Sequence, residues 1–267
     1  MLQTLALFAA MSFGPAQPGL SLSNERVTFG GQFGPTRPEG KFLPGDIFFL
    51  AFDIDGLKAD AQGRVEYTIG MVVTDAQGKV IFEDKPSDQA MLLPLGASKL
   101  PARAFLAIGL DLRGSYTCKV TVTDKATSVG KSLTKTFEVA PPTFGIVCFH
   151  TSYDPEDKIP APMMGIAGQA LYMHFVTVNF SRSQSTKQPH NQIELRVLDS
   201  NGKPANEQPL VYEVKKDIKE DVDAIDWDLA LPLNRPGTYT VELKADDKIS
   251  GKSYKMTFPV TVMQSIK

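Results

Sequence analysis

The chain has 267 residues, enough for about two domains of ordinary size. Hydrophobic residues make up 42% and charged residues 22%, a globular balance that excludes a wholly disordered chain, a collagen and a polytopic membrane protein. A formal charge of -2 provides no positive field for nucleic acid or an anionic membrane, and two cysteines with three histidines are too few for a zinc cluster or a dense disulfide scaffold.

Leu2 to Phe13 is a short apolar run that leads into Gly14-Pro15-Ala16. It is too short to span a bilayer, and it fits the hydrophobic part of a secretory signal with a cut after Ala16, although no Lys or Arg precedes it. Residues 1–20 are therefore read as a leader, with the rest of the chain expected in the periplasm or outside the cell; the alternative is an apolar terminus or edge strand of a cytosolic protein. No later segment has the uninterrupted apolar length of a membrane span.

An internal repeat sets the organisation. Gly45-Asp46 opens the apolar run Ile47 to Ile54, as Gly168-Gln169 opens Ala170 to Val176. Val72 to Lys79 matches Val197 to Lys203, in each case a strand followed by an Asp-x-x-Gly-Lys turn through Asp75 and Gly78 or Asp199 and Gly202. The Asp hydrogen-bonds its own backbone and the Gly takes positive φ, so the pattern predicts a hairpin. Gly114-Ser115-Tyr116-Thr117 returns 123 residues later as Gly237-Thr238-Tyr239-Thr240, with Asp124 and Asp247 at the same offset. Gly130-Lys131-Ser132 and Gly251-Lys252-Ser253 then lead into final strands that carry Phe137 and Phe258. One domain is thus expected over residues 21–140 and a second over 143–267, with Ala140-Pro141-Pro142-Thr143 as a short, stiff connector.

Inside each repeat the apolar period is two, in short runs rich in Val, Thr, Phe and Tyr. The best helical stretch, Val214 to Asp226, has no continuous apolar stripe and reads as a hydrated loop. Trp227 alternates with Ile225 and Leu229, so it is expected in the core, with Asp226 and Asp228 on the other side. The fold class is all-β, two tandem antiparallel sandwiches.

The Gly-x-Tyr block followed by an alternating strand and Asp resembles the tyrosine corner and next strand of immunoglobulin-like and fibronectin-III-like domains, and the whole resembles exported bacterial proteins built of tandem immunoglobulin-like modules. The resemblance implies that Tyr116 and Tyr239 bury their rings and bond backbone upstream through their hydroxyls, so that Tyr239→Phe costs about 1 kcal/mol or more. It implies no active site. Tyr116-Thr117-Cys118 has the Tyr-x-Cys spacing of antibody domains, but the first repeat has no second cysteine. Cys118 is therefore read as a small buried hydrophobe, and a bridge to Cys148 as the lesser alternative.

Chemistry is sparse. None of His150, His174 and His190 stands in a metal-binding or helical His pattern, and no Gly-x-Ser-x-Gly elbow, P-loop or Gly-x-Gly-x-x-Gly occurs. His174, on a predicted strand, is read as facing solvent or a satisfied partner. No catalytic residue, cofactor or metal is expected, and the acids Asp53, Asp55 and Asp60, and Asp154, Glu156 and Asp157, are read as hydrated loop and strand carboxylates before calcium ligands. Met91 to Leu95 is read as a core-closing crossover between strands, and the Pro-rich stretch around Met163 and Met164 as a candidate interface packed into the joint. The expected function is a non-catalytic binding or structural module that meets protein or cell-surface components through loops or a sheet edge, with homodimerisation open to it. The alternatives are a calcium-dependent carbohydrate-binding or adhesion module and an accessory module of an enzyme system. A single Trp and 9% aromatic content weigh against a glycan platform.

Overall fold

The computed structural model describes residues 19–96 and 99–264, so the leader expected over residues 1–20 falls almost wholly outside the described residues. Eight strands make the first sandwich: β1 Ser21–Thr28, β2 Lys41–Phe42, β3 Ile47–Asp55, β4 Arg64–Asp75, β5 Val80–Leu92, β6 Lys99–Ala107, β7 Gly114–Asp124 and β8 Gly130–Val139. Eight more make the second: β9 Gly145–Ser152, β10 Met164–Ile166, β11 Ala170–Val178, β12 Asn191–Leu198, β13 Leu210–Val214, β14 Ala224–Pro232, β15 Gly237–Asp247 and β16 Lys252–Met263. The described residues contain no helix, and so none long and apolar enough to cross a membrane.

The same topology occurs twice. In the first sandwich a sheet ordered β1-β3-β6 faces one ordered β2-β8-β7-β4-β5; in the second, β9-β11-β14 faces β10-β16-β15-β12-β13. Pairing is antiparallel except that the short β2 and β10 run parallel to β8 and β16. Strict alternation on β6 and β14 sends Leu100, Ala102, Ala104 and Leu106, or Ile225, Trp227, Leu229 and Leu231, to the inside. Phe48, Leu50, Phe52, Val73, Val120 and Phe137 fill the first core; Leu171, Met173, Phe175, Leu195, Leu243 and Phe258 fill the second. The Trp227 indole donates to the Thr177 hydroxyl at 3.0 Å, which satisfies its one polar atom inside the core.

The hairpin turns are built alike. Asp75 accepts the N–H groups of Gln77 and Lys79, and Gly78 has φ of +81°; Asp199 accepts those of Asn201 and Lys203, and Gly202 has φ of +75°. The next strands differ. β5 has 13 residues and is exposed along nearly its whole length, whereas β13 has five. A bulge at Gly70 together with Pro86 interrupts the ladder that holds β5, which blunts this long edge against pairing. Met91 and Leu92 end β5 on the surface and Leu95 is 99% exposed, so the expected crossover under the sheet is corrected; only Leu93 packs against the core.

Candidate functional site

The two sandwiches meet in a packed joint that begins with a buried ion pair. Asp46, in the turn before β3, binds Arg37 through Oδ2 at 2.6 Å, and the two residues are 3% and 6% exposed. The Arg37 guanidinium lies over the Phe42 ring at 3.9 Å and the Phe29 ring at 4.6 Å. The other carboxylate oxygen, Oδ1, accepts the Ile47 N–H at 2.8 Å and, across the joint, the Cys148 N–H at 2.9 Å. Cys148 also turns its thiol to the Gly45 carbonyl at 3.3 Å. One carboxylate therefore balances a buried cation and closes the backbone of both domains. Gly30, at φ of +63°, lets β9 approach so closely that a Cβ there would stand 2.5 Å from the His150 Cβ.

Beside this joint, strand register lines up three polar side chains on the outer face of the β9-β11-β14 sheet. His150 and Asp228 both pair with His174, from either side. His174 is 6% exposed; its Nδ1 meets Asp228 Oδ1 at 2.7 Å and its Nε2 meets the Ser152 hydroxyl at 2.7 Å. The His150 ring covers His174, with centroids 5.1 Å apart and planes at 23°. His150 Nδ1 donates to the Cys148 carbonyl at 2.9 Å, and Nε2 meets Asp157 at 2.6 Å. All four ring nitrogens thus have partners, and His174 is the satisfied strand residue rather than a solvent-facing one.

Ser152, His174 and Asp228 have the connectivity of a nucleophilic triad, but access runs the wrong way. Ser152 is fully buried and donates its proton to the Asp154 carbonyl at 2.5 Å, while the Asp228 side chain is 69% exposed. A nucleophile must reach substrate and its orienting acid must be sheltered. What this row does is fasten the strand end and the loop after β9 to the sheet.

A cleft of about 210 Å³ opens between the domains, lined by Phe29, Phe49, Arg103, His150, Asp157 and Pro160 among others. Arg103 is exposed on β6 and has no carboxylate partner among the described residues, in contrast to Arg37. Phe49 and the 55% exposed Phe105 pair on the same outer face, with centroids 6.0 Å apart.

The other expected residues take ordinary positions. Tyr116 is 6% exposed, donates to the Arg113 carbonyl at 2.9 Å and accepts the Arg113 N–H at 3.1 Å. Tyr239 is only half-buried; its exposed hydroxyl donates to the Arg235 carbonyl at 3.1 Å and accepts from Arg235 Nε at 2.9 Å. The expectation of a buried hydroxyl is therefore corrected for the second corner. Met163 packs in the second core at 9% exposure, whereas Met164 is exposed on β10. Both cysteines are free. Burial pushes the Cys118 thiol up to about 12 and is the main cause that pushes Cys148 up to about 11, which keeps both protonated.

Five of the six acids raised as calcium candidates, Glu156 apart, are engaged locally. Asp154 accepts the N–H groups of Lys158 and Ile159; Asp53 and Asp55 accept from Asn24 and Ser23. No group of three or more His, Cys, Asp or Glu among the described residues is placed to hold a metal ion.

No protein-family model matches the chain, and no curated protein does. Among solved structures, red sea bream transglutaminase is similar over 92% of this chain at 10% identity and a TM-score of 0.30; the chain spans 31% of that enzyme. The C-terminal domain of the Streptococcus pyogenes antigen I/II-family protein AspA is similar over 91% of this chain and 99% of its own, at 10% identity and a TM-score of 0.29. Likenesses at this level carry over no activity or partner.

Proposed function

We propose that the chain is a non-catalytic binding or structural protein whose two sandwiches act as one rigid unit, with contacts to protein or cell-surface components made around the joint. The observation that carries this reading is the Asp46 carboxylate, which binds buried Arg37 and the Cys148 backbone of the next domain at once. A flexible tether would leave such a carboxylate in water; here its loss would strand a buried cation. The cleft above it presents the Arg103 guanidinium, without a carboxylate partner among the described residues, beside aromatic rings, a surface suited to acidic and aromatic groups.

Solution scattering tests the rigid unit directly. The wild-type profile should fit a single arrangement of the two domains, and Asp46→Asn should broaden it. Identical profiles would remove the basis of the proposal. For the non-catalytic part, model esters, peptides and glycosides should return background turnover; turnover that disappears in Ser152→Ala would refute it. Export, proposed from residues 1–20, is tested by the N-terminal sequence of the protein recovered from its native host.

A further inference from the structure

The second tyrosine corner stands at the rim of a pocket, where the first repeat has a ring packed against its tyrosine. In the first sandwich Tyr116 pairs across strands with Phe137 and stacks on it, with centroids 5.5 Å apart and planes at 26°. Phe137 also stacks on Phe48 at 4.3 Å, so this end of the core is filled with rings. In the second sandwich the matching phenylalanine, Phe258, pairs with Val241, and Tyr239 faces Val260. The two hairpins keep one register, with the tyrosine and its cross-strand partner 21 residues apart in both; what differs is the side chain opposite the tyrosine, because the phenylalanine of the second repeat stands two positions earlier on its strand. A ring placed two positions earlier stays on the core face of the strand, yet it lies away from the tyrosine. Phe258 packs instead toward Phe149, at 4.9 Å.

The space left is a pocket of about 370 Å³, within the usual range for small-molecule sites. Protein interiors rarely tolerate an unfilled volume of this size. Its wall is apolar, with Val197, Leu231, Val241, Val260 and Val262, and Arg235 stands at its edge. Arg235 Nε is used by the Tyr239 hydroxyl and the guanidinium lies 5.7 Å from that ring, while both terminal nitrogens have no partner among the described residues. A guanidinium held by one edge presents its remaining N–H fork to a planar anion. Asp199 lies near enough to raise the affinity of Arg235 for its proton, after the larger effect of Tyr239, but forms no ion pair with it; its carboxylate is held by the Asn201 and Lys203 N–H groups.

We propose that this pocket binds a small apolar molecule that ends in a carboxylate, its chain among the valines and leucines and its head on Arg235. Decanoate is the probe, with decanol as the uncharged control and acetate as the headgroup control, followed by amide NMR shifts on the whole chain. Decanoate should shift the amides of Val197, Ala205, Arg235 and Val260 saturably, decanol about tenfold more weakly and acetate not at all. Arg235→Gln should bring decanoate down to the affinity of decanol, and Val260→Phe, which restores the ring of the first repeat, should abolish both. Should Val260→Phe disturb folding, Ala205→Phe at the rim makes the same test from outside. The site is refuted if decanoate shifts none of these amides, or if both filled variants fold and still bind it. Equal affinity for decanoate and decanol would refute the role of Arg235.

Discussion

The two sandwiches share strand order, turn chemistry and core pattern, yet they differ in what surrounds the corner tyrosine. In the first, Tyr116 is sealed against Phe137; in the second, Tyr239 leans over an open apolar pocket. The comparison teaches that a duplicated β-sandwich can diverge without changing its register: a phenylalanine that stands two positions earlier on the strand keeps the inside-outside pattern and changes which side chains are neighbours. A second contrast lies in the sheets next to the joint. The outer face of β1-β3-β6 carries Phe49, Phe105 and Arg103, whereas that of β9-β11-β14 carries the histidine pair and its carboxylates.

Four tests break or sharpen this contrast. The largest effect is expected from Asp46→Ala, which leaves the Arg37 charge buried and the Cys148 N–H unpaired. It should cost about 3–5 kcal/mol and split thermal unfolding into two transitions. A single transition at the wild-type temperature would show that the domains are coupled elsewhere.

Ser152→Ala comes next, because it removes the acceptor of a buried His174 ring nitrogen. A loss of about 1–3 kcal/mol is expected in chemical denaturation, confined to the second sandwich. A loss that appears in the first sandwich instead would contradict the placement of this row.

The corner tyrosines set the two repeats against each other. Tyr116→Phe should cost about 1 kcal/mol, since its hydroxyl both donates and accepts within a buried corner, and Tyr239→Phe no more than about 0.5 kcal/mol. Equal losses would mean that exposure of the second hydroxyl does not matter.

The smallest effect is expected from acid. Burial pulls the Asp247 carboxyl up, but the Ser250 hydroxyl and the N–H groups of Ser181, Ile249 and Ser250 together outweigh it and hold it below the usual carboxylate range. Asp246 is likewise pulled up by burial and brought lower overall by Ser253, Lys244 and Lys248. A lowered folded value means stability that is complete above the unfolded value of about 4 and is lost as pH falls through the folded one. The second sandwich should therefore lose stability in denaturant titrations below about pH 4, and Asp247→Asn should flatten that slope.

Much of the architecture was legible because local signals repeat. The Asp75 and Asp199 turns and the alternation around Trp227 each depend on neighbours in the chain: both carboxylates accept N–H groups of their own turns, and Trp227 faces inward. The misread segment, Met91 to Leu95, is apolar enough for a core, yet Met91 and Leu92 pair with Val65 and Arg64 at the end of an exposed edge strand. The polar row beside the joint left only a faint trace. His174 alternates with Met173 and Phe175, and Asp228 with Trp227 and Leu229, which puts both on outer faces. That they adjoin, and that Ser152 lies under them, depends on the pairing of three strands drawn from distant parts of the chain.

By itself the sequence determined that this protein is two successive sandwiches with like turns and like cores, since side-chain period and turn residues act over a few positions. Only the tertiary structure decided that Arg37 and Asp46 lock the joint, that His150 covers His174, and that the second corner opens onto a pocket. Those features arise from strand register and domain contact, which sum small energies over residues far apart in the chain and leave no local pattern to read.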